Sequence, residues 1–350
     1  MENKGLNRLA ACQKISKKAD AADLGIKKAA NIILSAKSIV IACHVNPDGD
    51  CIGSLLGLAF GLKSLGKKVF MLSQDGVPKK YRMLPGANYI RKRLDKKIDL
   101  AIAVDCNEKQ MLGKSFKVFE RAEKILEIDH HEFRVPFGDI AFVDTRAGAV
   151  GEMVFSLLRE LNVSLTQNMA KNILTSIIVE TDSFSLPNVR AFTFEVCAKL
   201  FDTGIDFSKF IEMIYWTSTK EKIILSGICL SRCKFLRKGK IAWSIVKQSD
   251  FKKFNGKDED VDAVADQMRQ IKNVLISILF RQKPRGFLRV SLRSKGLINV
   301  ATLAQKFGGG GHFDVAGCTV VDSALVRRKI LLEAERLLSQ KYNFLLNRTD

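Results

Sequence analysis

Short apolar runs that stop on a charged or coordinating side chain constrain this chain more than any other feature. KSIVIAC is followed at once by His44, DLAIAVDC carries Asp105 near its end, and EKILEID runs into His130 and His131. Runs this short and this apolar read as buried strands, and KKVFML is another. Between them lie stretches with helical spacing, such as ADLGIKKAANIILSA and SLLGLAFGLKSLG. Strands alternating with helices predict a parallel, doubly wound sheet. Ligands of such sheets bind in the crevice beyond the strand C-termini, so His44, Asp105 and Asp129–His131 should gather at one edge.

From GEMVFSLLRELN to about Leu230 the pattern turns helical, and TQNMAKNILTSIIVETDSF reads as a long apolar helix ending at Asp182 on a Thr-Asp-Ser turn. A second α/β unit begins near KFLRKGKIAWSIV and reaches a glycine cluster at Gly308–Gly311. At 350 residues two domains are the default, because a single core rarely grows so large. The expected fold class is therefore α/β in two domains. Residues 22–202 form an N-terminal, doubly wound and mainly parallel sheet with flanking helices. Residues 203–233 form a helical linker, and 234–345 a smaller C-terminal α/β domain. The longest apolar runs fall far short of the ~20 residues that span a bilayer. The basic N-terminus (Lys4, Arg8, Lys14) lacks an apolar signal region, so a cytoplasmic protein without membrane contact is expected. Eight cysteines, from Cys12 to Cys318, include no CxxC pair and read as reduced, mostly buried small hydrophobes.

The 4 histidines all sit in short motifs rich in glycine or aspartate: HVNPDGDCIGS, EIDHH and FGGGGH. An Asp-x-Asp pair alone is ordinarily a turn or a helix cap. Here Asp48 and Asp50 follow His44, and Asp105 adds a third carboxylate. Imidazole with carboxylate suits manganese, iron or zinc, whereas all-carboxylate sets suit magnesium or calcium. An aspartate beside a ligating histidine, as Asp129 is, fits the fixing of an imidazole tautomer. These residues predict a metal-dependent hydrolase. The glycine cluster, short and followed by apolar residues, reads as a phosphate or nucleobase cradle with His312 as donor. Arg289 and Arg293 occupy alternate positions of the preceding strand and could clamp a phosphate from one face. A net charge of +20 and a pI near 9.6 favour a polyanionic partner.

In order, HVNPDGD, VDC, DHH and the late acidic turn resemble the DHH superfamily of phosphoesterases. SLRSKGLINVATLAQKFGGGGHFDVAG resembles the DHH-associated C-terminal domain. The resemblance spans about residues 22 to 345 and looks most like the oligoribonuclease (nanoRNase) and 3'-phosphoadenosine 5'-phosphate phosphatase branch. It implies two divalent ions, most often manganese. His44 and Asp48 would hold the first, Asp50, His130 and Asp182 the second, with Asp105 bridging. It implies that His131 contacts the scissile phosphate, with Asp129 orienting the pair. Arg293, Gly310, Gly311 and His312 would bind substrate, with Gly309 and Arg289 beside them, and the active site would lie in the cleft between the domains. Cys51 after the Asp-x-Asp, Ala149-Val150, and TDSF at the acidic turn depart from the usual pattern. The implied activity is two-metal hydrolysis of short RNA, and of 3'-phosphoadenosine 5'-phosphate to AMP. A cyclic-dinucleotide (c-di-AMP or linear pApA) phosphodiesterase is the alternative, and a non-catalytic nucleotide-binding protein a further one. Family members are often dimers, which leaves a homodimer open.

Overall fold

The computed structural model describes residues 22–346 apart from 297; the basic N-terminus and Cys12 lie outside the described residues. The chain separates into two units, one reaching Thr217 and the other beginning at Ser218. The residues 203–233 are shared between them, with one helix in each.

The first unit is built on five strands: β1 (Ser38–Ala42), β2 (Lys68–Leu72), β3 (Leu100–Val104), β4 (Lys124–Asp129) and β5 (Ile140–Val143). They pair in the order β2-β1-β3-β4-β5, all parallel. The side-chain period of two divides each strand between two cores. Ile39, Ile41, Leu100 and Ile102 face one cluster, while Val40, Ala42, Ala101 and Ala103 face the other. Apolar residues therefore cover both faces, as a parallel sheet requires. The strand order reverses between β1 and β3, and His44 and Asp105 leave the sheet on either side of that switch point.

The longer helices of the unit are α1 (22–35), α2 (Gly49–Ser64), α3 (Val150–Glu160), α4 (Gln167–Glu180), α5 (Ala191–Phe201) and α6 (Phe207–Tyr215). Along α2, glycine recurs every fourth residue at 49, 53, 57 and 61, so one face of the helix is bare backbone. A Cβ added at Gly53 would meet Asn172 O at 2.4 Å and Ser176 N at 2.8 Å on α4. That close approach brings Asp50, in the first turn of α2, against Ser176.

The second unit carries a mixed sheet in the order β10-β11-β9-β8-β7-β6. Its strands are β6 (Lys234–Leu236), β7 (Ile241–Val246), β8 (Ile276–Lys283), β9 (Phe287–Ser294), β10 (Gly310–Gly311) and β11 (Val315–Val321). Helices α7 (Lys220–Ser231) and α8 (Val264–Gln270) pack on one face, while α9 (Val300–Gln305) and α10 (Ala324–Leu346) pack on the other. No described helix is long and apolar enough to cross a membrane. The described cysteines are all free, and all but Cys233 are buried.

Candidate metal centre

The parallel strands deliver their polar residues to one edge because each apolar run ends there. His44 follows β1, Asp105 follows β3, and Asp129 closes β4 ahead of His130 and His131. Asp48 is the N-cap of α2 and accepts from Cys51 N at 3.1 Å, so it caps a helix and faces His44 at the same time. Asp50 is wholly buried. Its Oδ1 accepts from Ser54 Oγ at 3.1 Å and Ser176 Oγ at 2.5 Å, and its Oδ2 from Val150 N at 3.0 Å. That last donor is a main-chain amide at the start of α3. Every residue except proline supplies it, so Val150 needs no side-chain hydroxyl to serve here. Burial, with the Asp105 charge beside it, pushes the Asp50 carboxyl well above its ordinary range.

Two histidines are aimed by backbone carbonyls. His44 Nδ1 lies 2.8 Å from Val45 O, and His130 Nδ1 lies 3.0 Å from Ala147 O. A carbonyl oxygen only accepts, so both Nδ1 atoms carry hydrogen and the Nε2 lone pairs point inward. What they meet is carboxylate: His44 Nε2 is 3.5 Å from Asp105 Oδ2 and 3.7 Å from Asp48 Oδ1. His130 Nε2 is 3.7 Å from Asp50 Oδ2, 3.8 Å from Asp105 Oδ1 and 3.8 Å from Glu180 Oε1. A lone pair facing carboxylate oxygens needs positive charge between them, either a proton or a metal ion. Donor atoms about 2.1 Å from a shared cation lie roughly 3–4 Å apart, which matches these separations. Asp105 Oδ1, buried and with no hydrogen-bond donor, is the oxygen such a cation would satisfy. Asp105 also holds a left-handed φ of 58°. Without a metal, protons take that place. Burial opposes charging His44, yet the Asp105 and Asp48 carboxylates hold it up to about 11. His130 is likewise raised against burial, by Asp50 and Asp105, to about 9.

His131 is held differently. Its Nδ1 lies 2.7 Å from Asp129 Oδ1, which leaves Nε2 for a ligand on this half-exposed ring. Asp129 in turn accepts from Arg134 Nε at 2.8 Å, and Arg134 also pairs with the buried Glu127. Glu127 Oε1 accepts the Phe137 amide at 2.8 Å. Burial alone would raise Asp129, but His131 and Arg134 hold it below its ordinary range. Sequence reasoning missed Glu127 and Arg134. Two acidic residues on the same face of a buried strand were the signal, because such a pair requires a cation nearby.

The acidic turn corrects an expectation. Asp182 is exposed, with a left-handed φ of 43°, and takes no part in the cluster. Glu180 does, because it lies one helical turn beyond Ser176 and so shares the α4 face that meets Asp50. Burial raises its carboxyl to about 7, assisted by Asp105 and Asp48. Among the described residues, the groups that could hold metal are His44, Asp48 and Cys51; Asp50, His130 and Glu180; and Asp105, His130 and His131. Burial keeps the Cys51 sulfur a neutral thiol.

In the second unit, His312 N donates to Val315 O at 2.7 Å and closes the turn between β10 and β11. Gly310, Gly311 and His312 are exposed. Gly309 and Gly311 have a structural reason to be glycine. A Cβ at Gly309 would meet Gly317 O at 2.2 Å, and one at Gly311 would meet Ala316 Cα at 2.5 Å. Gly310 and Gly308 face open space, but Gly308 holds a left-handed φ of 71°, so only at Gly310 would a side chain be free of both clash and strain. Arg293 pairs across the strands with Val315, which places it at the same end of the sheet as this turn. It is not free, since its Nε is 2.9 Å and 3.1 Å from the two carboxylate oxygens of Asp266. Arg289 pairs with Thr319 and lies roughly 13 Å further along β9, so the structure does not group it with the turn.

Comparison with known proteins matches this architecture. The family model "DHH family, N-terminal domain" matches residues 38–179, and the DHHA1 domain matches 239–340. A Thermus thermophilus protein described as a bifunctional oligoribonuclease and PAP phosphatase is 30% identical over 305 residues, covering 85% of this chain and 89% of its own. The Bacillus subtilis protein of the same description is 25% identical, covering 81% and 89%. Among solved structures, an exopolyphosphatase-related protein from Bacteroides fragilis superposes with a TM-score of 0.81 at 25% identity, covering 93% of this chain and 98% of that one. With its cluster at the switch point and its glycine turn in the second sheet, this chain belongs to the DHH family.

Proposed function

We propose that this protein is a manganese-dependent phosphoesterase that hydrolyses short oligoribonucleotides to mononucleotides and also takes 3'-phosphoadenosine 5'-phosphate to AMP. That it is a phosphoester hydrolase rests on its family and on relatives described as oligoribonuclease and phosphatase. The observation that carries the metal reading is the pair of backbone-fixed imidazoles facing carboxylates, with the unpartnered Asp105 oxygen between them. His44 and Asp48 would hold one divalent ion and Asp50, His130 and Glu180 a second, with Asp105 shared. The mixed nitrogen and oxygen donor set favours manganese over magnesium. When bound, such ions supply Lewis acidity toward phosphoryl oxygens and lower the pKa of water.

The remaining chemistry belongs to the chain. His131 presents Nε2 toward a phosphoryl oxygen, and the Asp129 hydrogen bond raises its pKa so that it donates there. Arg134 keeps Asp129 ionised and the ring in place. His312 and the Gly310 amide are proposed to hold the substrate's phosphate or base, and Arg293 does so on release from Asp266.

The test is product analysis with purified full chain and manganese on a diribonucleotide, 3'-phosphoadenosine 5'-phosphate and cyclic di-AMP, with Asp105→Ala as control. Fastest turnover of the linear dinucleotide is expected, with a loss of at least about 10³-fold in Asp105→Ala. Preference for the cyclic substrate would make it a cyclic-dinucleotide phosphodiesterase instead. No turnover of any of the three would sink both readings.

A further inference from the structure

Three buried cysteines stand next in sequence to a residue of the cluster: Cys43 before His44, Cys51 after Asp50 and Cys106 after Asp105. A buried cysteine is ordinarily a small hydrophobe. Cys43 and Cys106 fit that description, since among the described residues neither joins a group of donor atoms able to share an ion. Cys51 does join one. Its sulfur and one donor atom each from His44 and Asp48 all lie within 4.8 Å of one another. The first turn of α2 sets this up, because side chains there lean toward the helix N-terminus. Cys51 Sγ comes within 3.7 Å of Asp48 O, while the Cys51 amide holds Asp48 Oδ1 at 3.1 Å.

These three donors are nitrogen, oxygen and sulfur. His44 Nε2 also meets Asp105 Oδ2 at 3.5 Å, which supplies a fourth. An ion with bonds of about 2.0–2.3 Å holds tetrahedral ligand atoms roughly 3.5 Å apart. The limit of 4.8 Å exceeds that by about 1 Å, a gap that side-chain rotation closes. Among the described residues the other two groups, Asp50 with His130 and Glu180 and Asp105 with His130 and His131, offer nitrogen and oxygen only. The two metal positions therefore differ in softness. Zinc already binds a common site more tightly than manganese does, and a sulfur ligand widens that difference.

We propose that the first metal position is a site of His44, Asp48, Asp105 and Cys51 that selects a zinc-class cation over manganese, whereas the second position keeps manganese. The ligand is the thiolate, so the ion displaces the thiol proton, which leaves to solvent. One ion is then fixed by sulfur and the other stays exchangeable. Selectivity of this kind presupposes the metal reading above, and spectroscopy distinguishes the failure of one from the failure of the other.

Cobalt(II) titrated into the metal-free full chain, with a phosphine as reductant, reports sulfur coordination through a sulfur-to-cobalt charge-transfer band in the near ultraviolet. Wild type is expected to show the band, saturating when a single position has filled. Cys51→Ser should lose it and keep the weaker visible bands of cobalt held by nitrogen and oxygen, which also shows that the site has folded. Should serine disturb this buried position, Cys51→Ala, which brings in no polar atom, gives the same reading. Dialysis against equal zinc and manganese, followed by metal analysis, then measures selectivity. Wild type should retain both metals in comparable amounts, and Cys51→Ser should lose its preference for zinc at least about tenfold. Cobalt bound at both positions without the band overturns the proposal. So does a band that survives in Cys51→Ser, which marks a different sulfur, and so does zinc retention unchanged by the loss of Cys51. A chain that binds no cobalt at all overturns the metal reading as well.

Discussion

The cluster of the first unit and the glycine turn of the second achieve precision in opposite ways. At the cluster, buried side chains hold one another: Asp50 is gripped by two hydroxyls and an amide, and His131 by a relay through Asp129, Arg134 and Glu127. At the turn the side chains are exposed, and the shape is set by backbone that tolerates no Cβ at Gly309 or Gly311. Removing a group from the first should therefore damage chemistry, whereas adding one to the second should damage folding.

The sharpest contrast within the cluster is Glu180→Gln against Asp182→Asn. Loss of the Glu180 charge should lower activity and metal affinity by about 100-fold, while Asp182→Asn stays within about threefold. Equal losses in the two would return Asp182 to the site. The next largest effect is on stability. Gly309→Ala should lower the free energy of unfolding of the second unit by about 1–3 kcal/mol, measured by denaturant titration. Gly310→Ala should leave stability alone, so any rise in its KM isolates close approach of a ligand to the backbone. A proton count tests the cluster without mutation. With His44 near 11 and His130 near 9, both imidazoles are protonated at pH 8, whereas Glu180 near 7 is mostly ionised. Manganese must displace the histidine protons and any that the buried Asp50 carries, so at least about two should be released per chain, and apparent affinity should climb as pH rises above 8. Calorimetry in buffers of different ionisation enthalpy measures this, and zero release would place the ions elsewhere. The smallest effect belongs to Arg289→Ala, expected to change KM by less than about twofold because it stands far along β9 from the turn.

What the sequence made legible was whatever depends on strand ends. His44, Asp105 and Asp129–His131 follow apolar runs, and a parallel sheet brings such ends together whatever the details of packing. What it hid depends on phase and on distant partners. Glu180 and Asp182 are both acidic residues at the end of one helix, and only the rotation that aligns Ser176 with Asp50 decides between them. Arg293 looked free because Asp266, which holds it, lies 27 residues away on α8. The glycine recurrence along α2 was visible in GDCIGSLLGLAFGLKS, but its meaning needed the identity of the neighbouring helix. Arg134 was in plain view five residues from Asp129, and a buried Glu-x-Asp strand without a cation should have pointed to it.

The grip on Asp50 also has a consequence in time. Its partners Val150 and Ser176 lie 100 and 126 residues further along the chain. During synthesis at ~5–20 residues per second, α2 therefore waits roughly 6–25 s before the helix that accepts its glycine face is made. Until then its bare face and first-turn carboxylate lack the partners that hold them in the folded unit. The cluster is thus among the last parts of the unit to close, and cation supplied early should not hasten folding, whereas cation supplied late should slow unfolding.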